Sequence, residues 1–167
     1  KDTSGLLVVA KNDAAHLSLS KQIAEKTCRR TYIALLEGVV KQDSGNITTY
    51  IGRDPKDRLK MAVVPPEKGK LAITDFAVEE RFEGYTLCRF DLKTGRTHQI
   101  RVHAKYMGHP VVGDPVYGIK KQKFALNGQL LHAARLEFTH PSTGRRMAFT
   151  APLPDYFTDV LKKLKRQ

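Results

Sequence analysis

The sequence predicts an α+β domain: a mixed, mostly antiparallel sheet flanked by a few helices. Three observations point there. Runs with strand character follow one another with short turns between them, and helical periodicity is confined to three segments. The chain has neither G-x-G-x-x-G nor G-x-x-x-x-G-K-[ST], so a doubly wound nucleotide-binding fold has no support. Its 167 residues suit one ordinary domain, taken as 1–167.

Leu6–Ala10 is a short apolar run and predicts a buried strand. Asn12 or Asp13 can cap the helix that follows, whose Ala14, Leu17, Ile23 and Ala24 recur at helical spacing. Thr31–Val40, ending near Gly38, Ile47–Ile51, and Met61–Val64, stopped by Pro65-Pro66, are β-rich. The charged segment Arg53–Lys60 between the last two reads as a loop. Leu71–Arg81 and Tyr85–Leu92 predict a hairpin turning at Glu83-Gly84. Thr97–Met107 predicts a helix. Leu130–His140 and Arg145–Ala151 predict a hairpin around Pro141–Gly144. Pro154–Lys165 predicts a basic amphipathic helix with Phe157, Val160, Leu161 and Leu164 inward.

Composition narrows the function. Apolar residues make up 41% and charged residues 28%, the balance of a soluble globular protein, and no apolar run approaches the roughly 20 residues of a membrane span. Cys28 and Cys88 lie in no C-x-x-C pair, so a zinc site and a disulfide framework are not expected, and a reducing cytoplasm is the simpler setting. The net charge of +12 favours polyanions, though charge alone does not separate RNA, DNA and acidic membranes. Lys1 is no initiator Met and leads straight into the turn Asp2-Thr3-Ser4-Gly5, so the sequence is expected to continue a longer chain.

The densest chemical cluster is Leu92-Lys93-Thr94-Gly95-Arg96-Thr97-His98-Gln99-Ile100-Arg101-Val102-His103. A strand ends, a glycine turn follows and a helix begins near Thr97. At about 100° per residue His98, Arg101 and Lys105 share one helix face, with Ile100, Ala104 and Met107 opposite. Cations beside exposed helix N–H groups suit a phosphate or carboxylate, and Arg96 adds another guanidinium. A solvated basic face fits the same spacing. His98 and His103 lie five apart, about 140° around the helix, and do not face one metal well.

Taken with Gly108-His109-Pro110 and Gly113-Asp114-Pro115-Val116-Tyr117-Gly118, this cluster resembles the signature of RluA-type RNA pseudouridine synthases. The resemblance extends through Thr3–Lys11, through Tyr32, Ala34 and Gly38, through Gly69-Lys70, Ala72 and Thr74, and through Leu131-His132-Ala133, Phe138, His140-Pro141 and Pro152-Leu153-Pro154. It spans nearly the whole chain in order. It implies a pseudouridine synthase-like fold, an RNA uridine isomerase acting on rRNA or tRNA, and no cofactor or metal. It implies catalytic roles for Arg101, as the partner of an aspartate, and for Tyr32, as the active-site tyrosine. It makes Arg96, His98, Gln99, Arg53 and Lys105 RNA-binding candidates. In the family's first motif, His-Arg-Leu-Asp and two variable residues precede Thr-Ser-Gly. Lys1 and Asp2 hold the variable positions, so the catalytic aspartate is expected immediately before Lys1, and the fragment by itself is expected to be inactive. Asp2 is out of register by two, nearly 7 Å along an extended chain. A non-enzymatic basic RNA-binding module on the same scaffold is the rival reading, and a monomer is expected.

Overall fold

The computed structural model describes residues 1–167. Eight strands form one sheet: β1 (Ser4–Gly5), β2 (Arg29–Glu37), β3 (Ser44–Arg53), β4 (Met61–Val63), β5 (Lys70–Phe82), β6 (Tyr85–Leu92), β7 (Leu131–Thr139) and β8 (Arg146–Thr150). The order is β1-β7-β2-β6-β5-β3-β4, with β8 also paired to β7. Every pairing is antiparallel except β1 with β7. Three helices complete the fold: α1 (Asp13–Ala24), α2 (Gln99–Tyr106) and α3 (Asp155–Lys162).

Strand alternation divides the core. Ala34, Leu36, Cys88 and Phe90 point to one side, where Ile100 and Ala104 of α2 cover them. Leu35 points to the other and packs with Tyr85, Val112, Leu130 and the α3 residues Phe157 and Val160. Phe90 and Phe157 are fully buried, each stabilising by about 1.5–3 kcal/mol. The inward face of α3 is thus the one its periodicity predicts, Leu161 and Leu164 being half-buried against the same cluster.

Two expectations are corrected. Leu6–Ala10 forms no strand: β1 stops at Gly5, and Leu7 and Val9 are 85% and 72% exposed while Leu6, Val8 and Ala10 are half-buried. The run is extended and alternates in burial without joining a ladder beyond one bond, Leu6 N–H to the Ala133 carbonyl. The second correction concerns α1. Asn12 caps it by accepting the Ala15 N–H at 2.9 Å, but its buried residues are Leu19 and Gln22, with Leu17 68% exposed. Gln22 wins that place because its amide donates to the Thr139 carbonyl and accepts the Thr139 N–H.

The sheet also shapes the ground beside Tyr32. Pairing of β2 with β7 runs Thr31↔Arg135 and then Tyr32↔Ala133, so β7 carries one extra residue there. Such a bulge re-aims neighbouring side chains. On the other edge of β7, Gly5 lies against Ala133 at φ 98, where a Cβ would collide with the Ala133 backbone.

Candidate active site

A cleft of about 410 Å³ opens where β1, β2, the end of β6 and the start of α2 meet. Of the seven residues expected at a site, Tyr32, Arg96, His98, Gln99 and Arg101 line it, together with Lys1, Thr3 and Ser4. Arg53 and Lys105 do not. Arg53 ends β3 on the surface, its Nη1 donating to the Arg58 carbonyl at 3.2 Å, and Lys105 holds its ammonium 5.9 Å from the centre of the Tyr117 ring. Asp2 turns away into a separate pocket beside Gly128 and Tyr156.

The helix begins later than its sequence pattern suggests. His98 is not on its face: it is the residue before α2 and adopts a left-handed backbone (φ 57). The cause is the turn ahead of it, which Gln99 holds together. Its carbonyl oxygen accepts from Thr94 Oγ1 and the Arg96 N–H, and its amide donates to the Ile73 carbonyl and Thr74 Oγ1. Gln99 is buried and its amide fully occupied within the protein, so it shapes the cleft wall rather than offering a polar group to a ligand. The same network reaches His103, fully buried between Thr49 and Thr74 at 2.8 Å from each hydroxyl. Burial pushes His103 down to about 4, so it is neutral at pH 7.

Arg101 is the fixed cation of the cleft. Its Nε donates to Asp114 Oδ2 at 2.6 Å and its Nη2 to Oδ1 at 2.7 Å, and the pair is almost wholly buried. Asp114 Oδ1 also accepts the Val116 and Tyr117 N–H groups at 2.9 Å each. Burial alone would raise the Asp114 pKa, but the Arg101 guanidinium and those two N–H groups outweigh it and hold the carboxyl below the usual range. The guanidinium carbon sits 5.0 Å from the centre of the Tyr117 ring, a cation–π contact that fixes its plane. Nη1 has no partner in the chain.

Tyr117 also orients His98. The Tyr117 hydroxyl oxygen accepts the Met61 N–H and hydrogen-bonds His98 Nδ1 at 2.9 Å. Burial, then the neighbouring Arg101 charge, lowers the His98 pKa and keeps the ring neutral. Burial raises Tyr32, so its phenol stays protonated at neutral pH and can donate.

Asp114 and Tyr117 are the site residues that sequence reasoning did not assign. A signal existed in Gly113-Asp114-Pro115-Val116-Tyr117-Gly118, where an aspartate ahead of a proline suits a turn that binds N–H groups two and three residues on. Nothing local showed that Arg101, across the fold, was the other partner.

Fold and cleft together define the class first: a basic α+β domain holding a clamped guanidinium, a phenol and a neutral imidazole around an open cleft. The family follows from comparison with known proteins. A family model described as RNA pseudouridylate synthase matches residues 1–106, and the chain belongs to that family. It is 51% identical over 166 residues to the uncharacterized RNA pseudouridine synthase YlyB of Bacillus subtilis, covering 99% of this chain and 54% of that protein. It is 47% identical over 175 residues to the ribosomal large subunit pseudouridine synthase D of Neisseria meningitidis, covering 99% of this chain and 46% of the relative. The solved structure of human RNA pseudouridylate synthase domain containing 1 superposes with a TM-score of 0.78 at 28% identity, covering 95% of this chain and 68% of that one. The chain spans about half the length of the curated relatives it matches. No helix is long and apolar enough to cross a membrane.

Proposed function

We propose that this domain isomerises uridine to pseudouridine within RNA, with ribosomal RNA as the substrate class. The observation that carries the reading is the Arg101 guanidinium. Asp114 holds it rigid, and Arg101 lines a cleft that Tyr32 and Lys1 also line. The ribosomal substrate is taken from the relative named as a large-subunit enzyme.

In the reaction the N1–C1′ bond of uridine breaks, the uracil turns, and C5 bonds to C1′. C5 then loses its proton and N1 ends protonated, so product and substrate have the same atoms. A carboxylate either attacks C1′ or removes the 2′ proton. That carboxylate is the aspartate expected immediately before Lys1, and Arg101 Nη1 keeps it ionised and aimed by a charge-assisted bond. The uridine leaves its stack to enter the cleft. The Tyr32 ring stacks on the uracil and its hydroxyl serves the C5 proton step. Arg96 and His98 meet the backbone or the gap left by the flipped base. Only side chains carry the chemistry. The domain acts as a monomer in the cytosol, a setting that suits two buried free thiols.

A non-enzymatic RNA-binding module needs only the charge and the scaffold. The residue before Lys1 in the complete protein separates the two: an aspartate favours catalysis, any other residue the binding module. The functional test is a map of pseudouridines in rRNA and tRNA from a strain lacking the gene. Loss of one or more sites is expected, and an unchanged map contradicts the reading.

A further inference from the structure

Beyond the cleft a second groove, of about 670 Å³, follows the ends of β2, β6 and β7. Six cations line it: Lys26, Arg29, Arg30, Arg89, Lys93 and Arg135. Carboxylates neutralise half of them, with Lys93 paired to Asp75, Arg89 to Asp91 and Arg135 to Glu137. Lys26, Arg29 and Arg30 take part in no ion pair, so the unbalanced charge is concentrated where β2 begins.

Arg30 stands apart from the other two. It is half-buried, its Nε is buried without any partner, and its guanidinium makes no hydrogen bond within the chain. A buried guanidinium N–H without a partner is costly, and native proteins rarely leave one unmatched. It lies against the bare Cα of Gly95, where a Cβ would displace it. It also sits two residues before Tyr32 on the same side of β2, about 7 Å along the strand. The groove and the cleft share Leu92, so Arg30 stands at the passage between them.

We propose that Arg30 binds a backbone phosphate, and that the groove beyond it carries the sugar–phosphate chain of the RNA adjoining the nucleotide in the cleft. This rests on the RNA reading above. A phosphate supplies what the side chain lacks, two acceptors for a planar fork of donors. Lys26 and Arg29 extend the positive track outward, while the ion-paired cations of β6 and β7 that flank β2 carry no net attraction. The strand is thereby led from Tyr32 past Arg30 along the ends of β2, β6 and β7.

The test measures binding of a fluorescein-labelled oligouridylate to the complete protein at several salt concentrations. Arg30→Gln should weaken binding roughly tenfold, about 1.4 kcal/mol. It should also flatten the plot of log affinity against log salt by about 0.7, the value for one phosphate contact on a single strand. Arg30→Lys, which keeps the charge, should keep that slope. An unchanged affinity and slope in Arg30→Gln overturns the proposal. So does a lower single-turnover rate at saturating RNA with no change in binding, which would make Arg30 a support for Tyr32. Should Arg30→Gln fail to fold, the double variant Lys26→Gln/Arg29→Gln, at exposed positions, should also lower the slope, and an unchanged slope there contradicts the track. Binding is read without turnover, so a protein that shows these shifts but forms no pseudouridine supports the groove while refuting the isomerase reading.

Discussion

Asp114 takes both Nε and Nη2 of Arg101, at 2.6 and 2.7 Å, and leaves Nη1 as the one guanidinium nitrogen without a partner. A buried pair of this kind is a device for position more than for stability, since desolvation offsets much of its attraction. Removing one partner is another matter, because it strands the other charge.

Asp114→Asn should therefore destabilise the domain by about 3–5 kcal/mol, read from urea denaturation followed by circular dichroism. A loss below about 1 kcal/mol would mean that Arg101 finds another anchor.

Arg101→Lys should lower pseudouridine formation by at least about 100-fold, because an ammonium cannot reproduce the fork and a small misplacement of a catalytic group costs that much. Single-turnover assay on transcribed rRNA measures it. Near-normal turnover would remove Arg101 from its assigned role.

Tyr32→Phe keeps the ring and loses the hydroxyl. It should bind RNA as the parent does, yet release tritium slowly from uridine labelled at C5, whereas Tyr32→Leu should lose binding as well. Equal tritium release by Tyr32→Phe and the parent would take the hydroxyl out of the proton step.

Acid should weaken the fold in two windows. His103 sits at about 4 in the fold against an ordinary value near 6.5, so the unfolded chain binds the extra proton. The stability held by the neutral ring is complete above about pH 6.5 and is lost as the pH falls toward 4. Asp114 is depressed too, so its contribution is present above about pH 3.9 and fades below that. Thermal unfolding between pH 4 and 7 should show the first loss, and His103→Gln should flatten it. A variant as acid-sensitive as the parent would show that His103 is not the group responsible.

The sequence carried the hairpins well, because strand alternation and the Glu83-Gly84 turn are local signals. It carried the cleft's residue types through the motif from Thr94 to His103. Placement was harder where distant partners decide it. Gln99, an RNA-binding candidate by resemblance, has its amide claimed by Thr74 and Ile73 of β5. Leu17 and Ile23 looked like the inner face of α1 until Thr139 claimed Gln22. His98 fell outside the helix because the Arg96 N–H and Thr94 hold the turn before it. The bulge beside Tyr32 leaves no mark in composition, since it arises from the register between β2 and β7.

The most direct measurement is pseudouridine formation on transcribed ribosomal RNA by the complete protein, compared with the same protein carrying asparagine in place of the residue before Lys1. Pseudouridine at a defined site with the parent, and none with the variant, is the predicted result. Unchanged modification by the variant, or none by the parent, would contradict a site in which Arg101 serves a carboxylate from that segment.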